Sequence, residues 1–192
     1  MKFDPSIVQT RIHTPLGEMC LGATASGLAG AWFTDQSHRP EGMKNNSVLH
    51  SWPVQDAHPT LVQAARELQE FFAGKRQVFD VALDINSGTV FQQSVWLALL
   101  KIDHGKTSTY GDIGRHINNP AAVRAIGAAV GKNPLSVLIP CHRVLGGDGS
   151  LTGYAGGLHR KIALLNLEGV PFESSNATAR STATQNPTAI LF

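Results

Sequence analysis

The spacing of apolar residues divides the chain into a first part with short alternating segments and a second part with helical periodicity. In the first part, three apolar segments separated by turn-forming residues read as strands: 7–12, 19–23 and 28–34. Helical spacing then runs from Pro59 to Gly74, and alternation over 79–85 predicts a half-buried strand. These patterns predict a supporting α/β domain over residues 1–85, a small antiparallel sheet plus one helix, with a loop over 35–57.

The second part, residues 86–170, is predicted to be a mainly α C-terminal domain. Apolar residues recur at helical spacing in four segments: 89–102, 110–117, 121–130 and 158–167. The two middle segments are short and flank a turn at Asn118-Asn119-Pro120, which predicts a helix-turn-helix. Residues 171–192 are rich in Ser, Thr, Ala and Asn with almost no charge, which is typical of a weakly ordered low-complexity tail.

Composition narrows the class of protein. The chain has 42% hydrophobic and 16% charged residues, with no apolar run near the roughly 20 residues of a membrane span and no signal peptide. Two cysteines, Cys20 and Cys141, exclude a disulfide framework, argue against a structural zinc site and favour a cytoplasmic location. We therefore expect no metal and no membrane association.

Charge is divided unevenly along the chain. The net charge is +2, but residues 1–85 hold seven Lys/Arg against nine Asp/Glu, whereas residues 86–170 hold eight against four. The second part is therefore basic, which indicates where a polyanion would bind.

The segment Pro140-Cys141-His142-Arg143-Val144 carries the candidate chemistry. Cationic or basic neighbours lower the pKa of a thiol and make it a better nucleophile. Neighbouring side chains of an extended segment point to opposite faces, so His142 as a base would act around a turn or through a bridging water. The alternative is a structural cysteine buried on an apolar strand.

Seven motifs in fixed order extend this signal over residues 87–170. They are Val95-Trp96, Tyr110-Gly111-Asp112-Ile113, Pro120 to Gly127, Gly131-Lys132-Asn133-Pro134, Pro140 to Val144, Gly153 to Leu158 and Leu164 to Gly169. In this order they closely resemble the O6-alkylguanine-DNA alkyltransferases, also called methylated-DNA–protein-cysteine methyltransferases. A weaker likeness to bacterial members covers Thr14-Pro15-Leu16-Gly17 and Gly30-Ala31-Trp32-Phe33.

The resemblance implies roles for five catalytic residues. Cys141 is the alkyl acceptor, His142 takes its proton through water, and Glu168 orients the imidazole. Asn133 organises the cysteine loop, and Tyr110 protonates or polarises the departing guanine.

The resemblance also implies residues that bind DNA and the flipped base. The expected DNA-binding residues are Tyr110, Arg124, Ala125, Gly127 and Arg143, with Arg124 entering the base stack. The expected base pocket is formed by Val144, Tyr154, Ala155 and Gly156. Ala155 stands where several members have Ser, which leaves the preferred alkyl group open.

The implied reaction is a single, irreversible transfer. A thioether on Cys141 resists hydrolysis, and the chain lacks a Gly-rich donor-binding loop, so DNA is the alkyl donor and no cofactor is expected. The implied partner is double-stranded DNA containing O6-alkylguanine, with O4-alkylthymine as a second candidate lesion. It would be bound through the minor groove by a monomer with weak sequence preference.

Three alternatives belong to other functional classes. A lesion-sensing DNA-binding protein without transfer activity would lack the acceptor cysteine, which is present here. A helix-turn-helix regulator fits poorly with an Ala-rich second helix, and a papain-type hydrolase requires a different setting for its cysteine.

Overall fold

A three-stranded antiparallel sheet forms the first part of the protein. The computed structural model describes residues 2–37, 40 and 52–171, and the sheet consists of β1 (Val8–Thr14), β2 (Gly17–Thr24) and β3 (Gly27–Phe33) in the order β1-β2-β3. The first hairpin pairs Thr14 with Gly17 across a two-residue turn, and Gly17 has a φ of 114°, a value that side chains disfavour. The three predicted strands are confirmed.

Helix α1 (Pro59–Phe72) covers one face of this sheet. Proline is favoured at a helix start, and Gly74, with a φ of 70°, ends the helix by donating its N–H to the Phe71 carbonyl. Leu61, Ala64, Leu68 and Phe71 are buried against the strands, which are themselves apolar on that side. The helical spacing in the sequence therefore identified the packed face.

The strand predicted over 79–85 is wrong in extent. The structure has only an isolated parallel bridge to β3, in which Leu28 donates to the Ala82 carbonyl and accepts from the Asp84 N–H, each at 2.8 Å. The buried Glu67 carboxylate instead accepts the N–H groups of Asp80 and Val81 at 2.9 and 3.1 Å. Because the Glu67 side chain accepts these backbone N–H groups, they are not available for pairing with another strand.

Four helices are the main regular elements of the second part: α2 (Val90–Leu99), α3 (Tyr110–His116), α4 (Val123–Gly131) and α5 (Leu158–Leu167). Thr89 with Gln92 forms a capping box at the start of α2, and Thr109 with Asp112 forms another at the start of α3. A single 3-10 turn over Pro120–Ala122 precedes α4. The mainly α C-terminal part is confirmed, and all but Pro171 of the predicted tail lies outside the described residues.

Two short pairings connect the helices to the rest of the molecule. Strand β4 (Ser108–Thr109) pairs in parallel with β5 (Val144–Leu145), which brings the start of α3 beside the cysteine segment. Strand β3 also pairs with residues 134–136, because Ala31 donates to the Pro134 carbonyl and accepts from the Ser136 N–H, both at 2.9 Å. The sheet therefore holds the segment that leads to Cys141.

Shortening a buried side chain of α1 should lower the stability of the protein. Leu68 is 0% exposed, so we expect Leu68→Ala to lower the free energy of unfolding by about 2–5 kcal/mol, through lost apolar burial and a residual cavity. Val62 on the same helix is 52% exposed, and Val62→Ala should change the free energy of unfolding by less than about 0.5 kcal/mol. Denaturant titration measures both, and equal losses would contradict the packing described.

Candidate active site

Cys141 lies in a tight turn rather than on an extended strand. Residues Cys141–Arg143 form one 3-10 turn, and Arg143 donates its N–H to the Pro140 carbonyl at 3.0 Å. The turn follows from the proline, whose fixed φ favours a change of chain direction. Cys141 is only 6% exposed. The turn removes the opposed orientation that an extended backbone would give Cys141 and His142.

The side-chain amide of Asn133 connects both sides of the cysteine loop. Its Nδ2 donates to Cys141 Sγ at 3.0 Å and to the Ile139 carbonyl at 2.8 Å, while its Oδ1 accepts the Leu135 N–H at 3.0 Å. Within the same loop Val137 has a φ of 75°, a left-handed conformation that β-branched residues disfavour. The loop is therefore held in a conformation that its own sequence does not favour.

A buried carboxylate binds the two basic residues that follow Cys141. Glu168, the C-cap residue of α5, contacts His142 Nε2 through Oε1 at 2.8 Å. Arg143 donates to the same carboxylate twice, from Nε and from Nη2, each at 2.9 Å. Its Nη1 donates to the Ile102 carbonyl. All three charged or basic side chains are almost fully buried.

The carboxylate determines which nitrogen of His142 carries a proton. Burial alone would raise the pKa of Glu168, but hydrogen bonds from His142 and Arg143 outweigh it and hold that pKa down at about 2. An ionised carboxylate only accepts hydrogen bonds, so His142 Nε2 carries the hydrogen. Burial lowers the pKa of His142, although Glu168 opposes the change. The imidazole is therefore neutral, with its lone pair on Nδ1, which has no hydrogen-bond partner within the described residues.

The thiol itself is protonated at rest. Burial raises the pKa of Cys141, and the Asn133 amide and the Lys161 ammonium act in the opposite direction. Asn133 and Lys161 favour the thiolate, so they would stabilise it once the proton leaves.

Lys161 is a site residue that the sequence analysis missed. Its side chain is fully buried, and its Nζ donates to the carbonyls of Val144 and Thr152. Burial lowers its pKa to about 8, and a thiolate at Cys141 would oppose the change. The available signal was helical spacing, because residues 161, 164, 165 and 168 share one face of the last helix.

The residues predicted to meet DNA lie in two different settings. Arg124 and Ala125 are exposed on α4, and no acidic side chain in the described part of the chain pairs with Arg124. Tyr110 at the start of α3 lies against Gly127, and its hydroxyl is 3.0 Å from Thr152 Oγ1. The small residues of α4 therefore leave Arg124 as the long side chain on this surface.

The predicted DNA contact of Arg143 does not fit the structure. Arg143 is only 6% exposed, and three of its guanidinium nitrogens donate to Glu168 or to the Ile102 carbonyl. A guanidinium committed to an internal carboxylate is not available to a phosphate. The sequence places Arg143 beside His142, but it does not reveal that Glu168 binds both.

The residues predicted to wall the base pocket lie near the cysteine turn and the end of the sheet. Val144 is fully buried, and Tyr154 and Ala155 are half-buried. A Cβ on Gly156 would lie 2.7 Å from the Tyr154 ring and 3.2 Å from the Phe33 ring, so a larger residue does not fit. The segment is therefore packed closely between Tyr154 and β3.

Glu168 should contribute stability that depends on pH. Glu168→Gln leaves Arg143 buried without its counter-charge, so we expect the free energy of unfolding at pH 7 to fall by about 3–5 kcal/mol. Because the pKa is lowered from 4.5 to about 2, the contribution of the charge is complete above pH 4.5 and is lost as the pH falls toward 2. Denaturant titrations should show the two proteins converging in acid, and a difference independent of pH would refute this assignment.

Comparisons with protein families agree with this arrangement. Residues 7–85 match the family model described as "6-O-methylguanine DNA methyltransferase, ribonuclease-like domain". Residues 90–170 match the model described as "6-O-methylguanine DNA methyltransferase, DNA binding domain". Together they span most of the described residues.

Individual relatives show the same likeness. The chain is 37% identical over 167 residues to a methylated-DNA–protein-cysteine methyltransferase of Haemophilus influenzae, covering 87% of this chain and 89% of that protein. It is 43% identical to one of Mycobacterium tuberculosis, covering 82% and 89%. The crystal structure of M. tuberculosis OGT in complex with DNA has a TM-score of 0.73 and 40% identity, covering 84% and 92%. The chain therefore belongs to the 6-O-methylguanine DNA methyltransferase family.

Proposed function

We propose that this protein repairs DNA by transferring the alkyl group of O6-alkylguanine directly to Cys141. The observation that carries the proposal is the set of buried groups around one thiol. Cys141 Sγ accepts a hydrogen bond from Asn133, and the next residue, His142, is neutral and bound to the ionised Glu168. This set supplies a nucleophile, a base and a group that orients the base. The family membership supports the same reaction.

The proton path follows from the protonation states. The Cys141 thiol gives its proton through a water molecule to His142 Nδ1, because Nε2 already carries the hydrogen that Glu168 accepts. The resulting imidazolium faces the Glu168 carboxylate, which stabilises it. Lys161 and Asn133 stabilise the thiolate while it forms.

The bond changes balance without a further reactant. The Sγ–carbon bond forms as the bond between that carbon and guanine O6 breaks. The departing guanine receives a proton from the Tyr110 hydroxyl, which regains one from solvent. The product is a thioether, which water does not cleave, so each molecule acts once and needs no cofactor.

Binding to duplex DNA is assigned to α3 and α4, which we propose act as a helix-turn-helix. The exposed Arg124 would enter the base stack when the damaged nucleotide rotates out, and the small residues Ala125 and Gly127 would let α4 approach the minor groove. Base edges are not read, so sequence preference is weak and salt sensitivity strong. The crystal structure of the M. tuberculosis relative in complex with DNA supports the binding of DNA.

The two parts of the chain have different roles in the proposed reaction. Residues 1–85 support the acceptor domain, 86–170, and the protein acts as a cytoplasmic monomer. O4-alkylthymine is the second candidate substrate. A lesion sensor that cannot accept the alkyl group is the less favoured alternative, since the acceptor cysteine is in place.

Incubation with duplex DNA containing O6-methylguanine should add one methyl group per chain, carried by the peptide that contains Cys141. Cys20 should stay unmodified, because burial raises its pKa to about 12 and leaves it unreactive. Cys141→Ser should bind the DNA and accept nothing, whereas Cys20→Ser should react like the wild type. Intact mass and peptide mapping measure this, and repeated turnovers or methyl on Cys20 would overturn the proposal.

Arg124→Ala should slow repair of duplex DNA by about 10- to 100-fold, because extrusion of a base costs a few kcal/mol and the wedge offsets part of it. Reaction with the free base O6-benzylguanine should change little, since no extrusion is required. Arg66→Ala, at an exposed arginine of α1, controls for the loss of one positive charge. Equal losses of Arg124→Ala on both substrates would show that Arg124 is not a wedge.

A further inference from the structure

Arg160 joins three separate parts of the molecule. This residue of α5 is 6% exposed, and its Nε donates to the Leu16 carbonyl at 2.7 Å. Its Nη1 donates to the Gly156 carbonyl at 2.8 Å and lies 2.9 Å from Asp35 Oδ1, while Nη2 donates to Asp35 Oδ2 at 3.1 Å. The guanidinium lies 4.2 Å from the centre of the Phe33 ring.

These four partners belong to three different segments of the chain. Leu16 is in the β1–β2 turn, Phe33 and Asp35 are at the end of β3, and Gly156 is in the segment proposed to wall the base pocket. Arg160 therefore connects the pocket wall with the sheet of the first part. Only a planar side chain with several fixed donors can serve all of these acceptors together.

A second, independent link joins the same two segments. Ser37, two residues after Asp35, donates its N–H to the Ala155 carbonyl at 3.0 Å. Gly156 also packs closely against the sheet, because a Cβ at this position would lie 3.2 Å from the ring of Phe33. The Ala155–Gly156 wall is therefore held against the sheet by the hydrogen bond from Ser37 and by packing against Phe33.

We propose that Arg160 is a positioning residue that sets the alkyl-group preference of the pocket. It touches no reacting atom, and it acts by holding the Ala155–Gly156 wall, and through it Tyr154, at a fixed distance from Cys141. This inference rests on the proposed base pocket. Release of the wall disorders the near-attack geometry that a small methyl group requires, while it gives more room to a bulky group.

The test compares two duplex substrates, one with O6-methylguanine and one with O6-benzylguanine. Arg160→Met removes the donors and keeps much of the apolar stem. We expect its rate on the methyl substrate to fall by about 100-fold and on the benzyl substrate by about tenfold, so the benzyl-to-methyl ratio rises about tenfold. Arg160→Lys should restore part of the original ratio, because it retains one charged donor.

Arg76→Met is the matched control. Arg76 is also a poorly exposed arginine that joins segments, through Glu70, Asp80 and the Val78 carbonyl. It lies in the first part, and none of its contacts within the described residues is with a pocket residue. It should lower the melting temperature without moving the ratio. If Arg160→Met lowers both rates by the same factor, as Arg76→Met would, the inference is wrong.

Asp35→Asn provides a milder variant should Arg160→Met fail to fold. The Asp35 side chain is 65% exposed, and Asp35→Asn removes the negative charge that pairs with Arg160. The ratio should rise in the same direction by about two- to threefold. An unchanged ratio in a folded Asp35→Asn protein that transfers alkyl groups overturns this inference alone. A wild-type protein that transfers nothing overturns the proposed function.

Discussion

The buried carboxylate of Glu168 is the interaction on which the site depends. It neutralises the internal guanidinium of Arg143 and fixes the tautomer of His142, and both residues belong to the turn that carries Cys141. An unpaired charge at this depth would be costly, so the pair forms only where both members are in place. The contacts of Glu168 therefore hold the end of α5 against the cysteine turn. They also keep the hydrogen of His142 on Nε2, which leaves Nδ1 able to accept a proton.

The first part of the protein contributes to the site through its backbone. Strand β3 pairs with residues 134–136, which places Asn133 where its amide reaches both Ile139 and Cys141. The left-handed Val137 shows that this loop is held in shape by its surroundings. The sheet, which supplies none of the proposed catalytic residues, thus positions Cys141 Sγ and, through Arg160, the segment proposed to wall the base pocket.

Local patterns were sufficient for the longer helices and for strands β1 to β3, but not for the connections between buried polar groups. The apolar spacing of α1 and α5 has a single packed face, so those helices were predictable. The strand at 79–85 was not, because the Glu67 side chain takes backbone donors that alternation cannot reveal. The DNA contact predicted for Arg143 and the omission of Lys161 have a related cause: basic residues are mostly exposed, and only the fold shows their internal acceptors.

The central claim is that neutral His142 takes the proton of an un-ionised thiol, and the pH dependence of transfer to the free base O6-benzylguanine tests it most directly. The groups that face His142 are Glu168, Arg143 and Lys161, and the pKa of His142 lies below its ordinary 6.5. The rate constant should therefore stay flat from about pH 7.5 down to 6.5, and fall only at lower pH as His142 protonates. A rate that instead rises about tenfold per pH unit from about pH 6 to 9, as for a thiol ionised by hydroxide, would contradict the account.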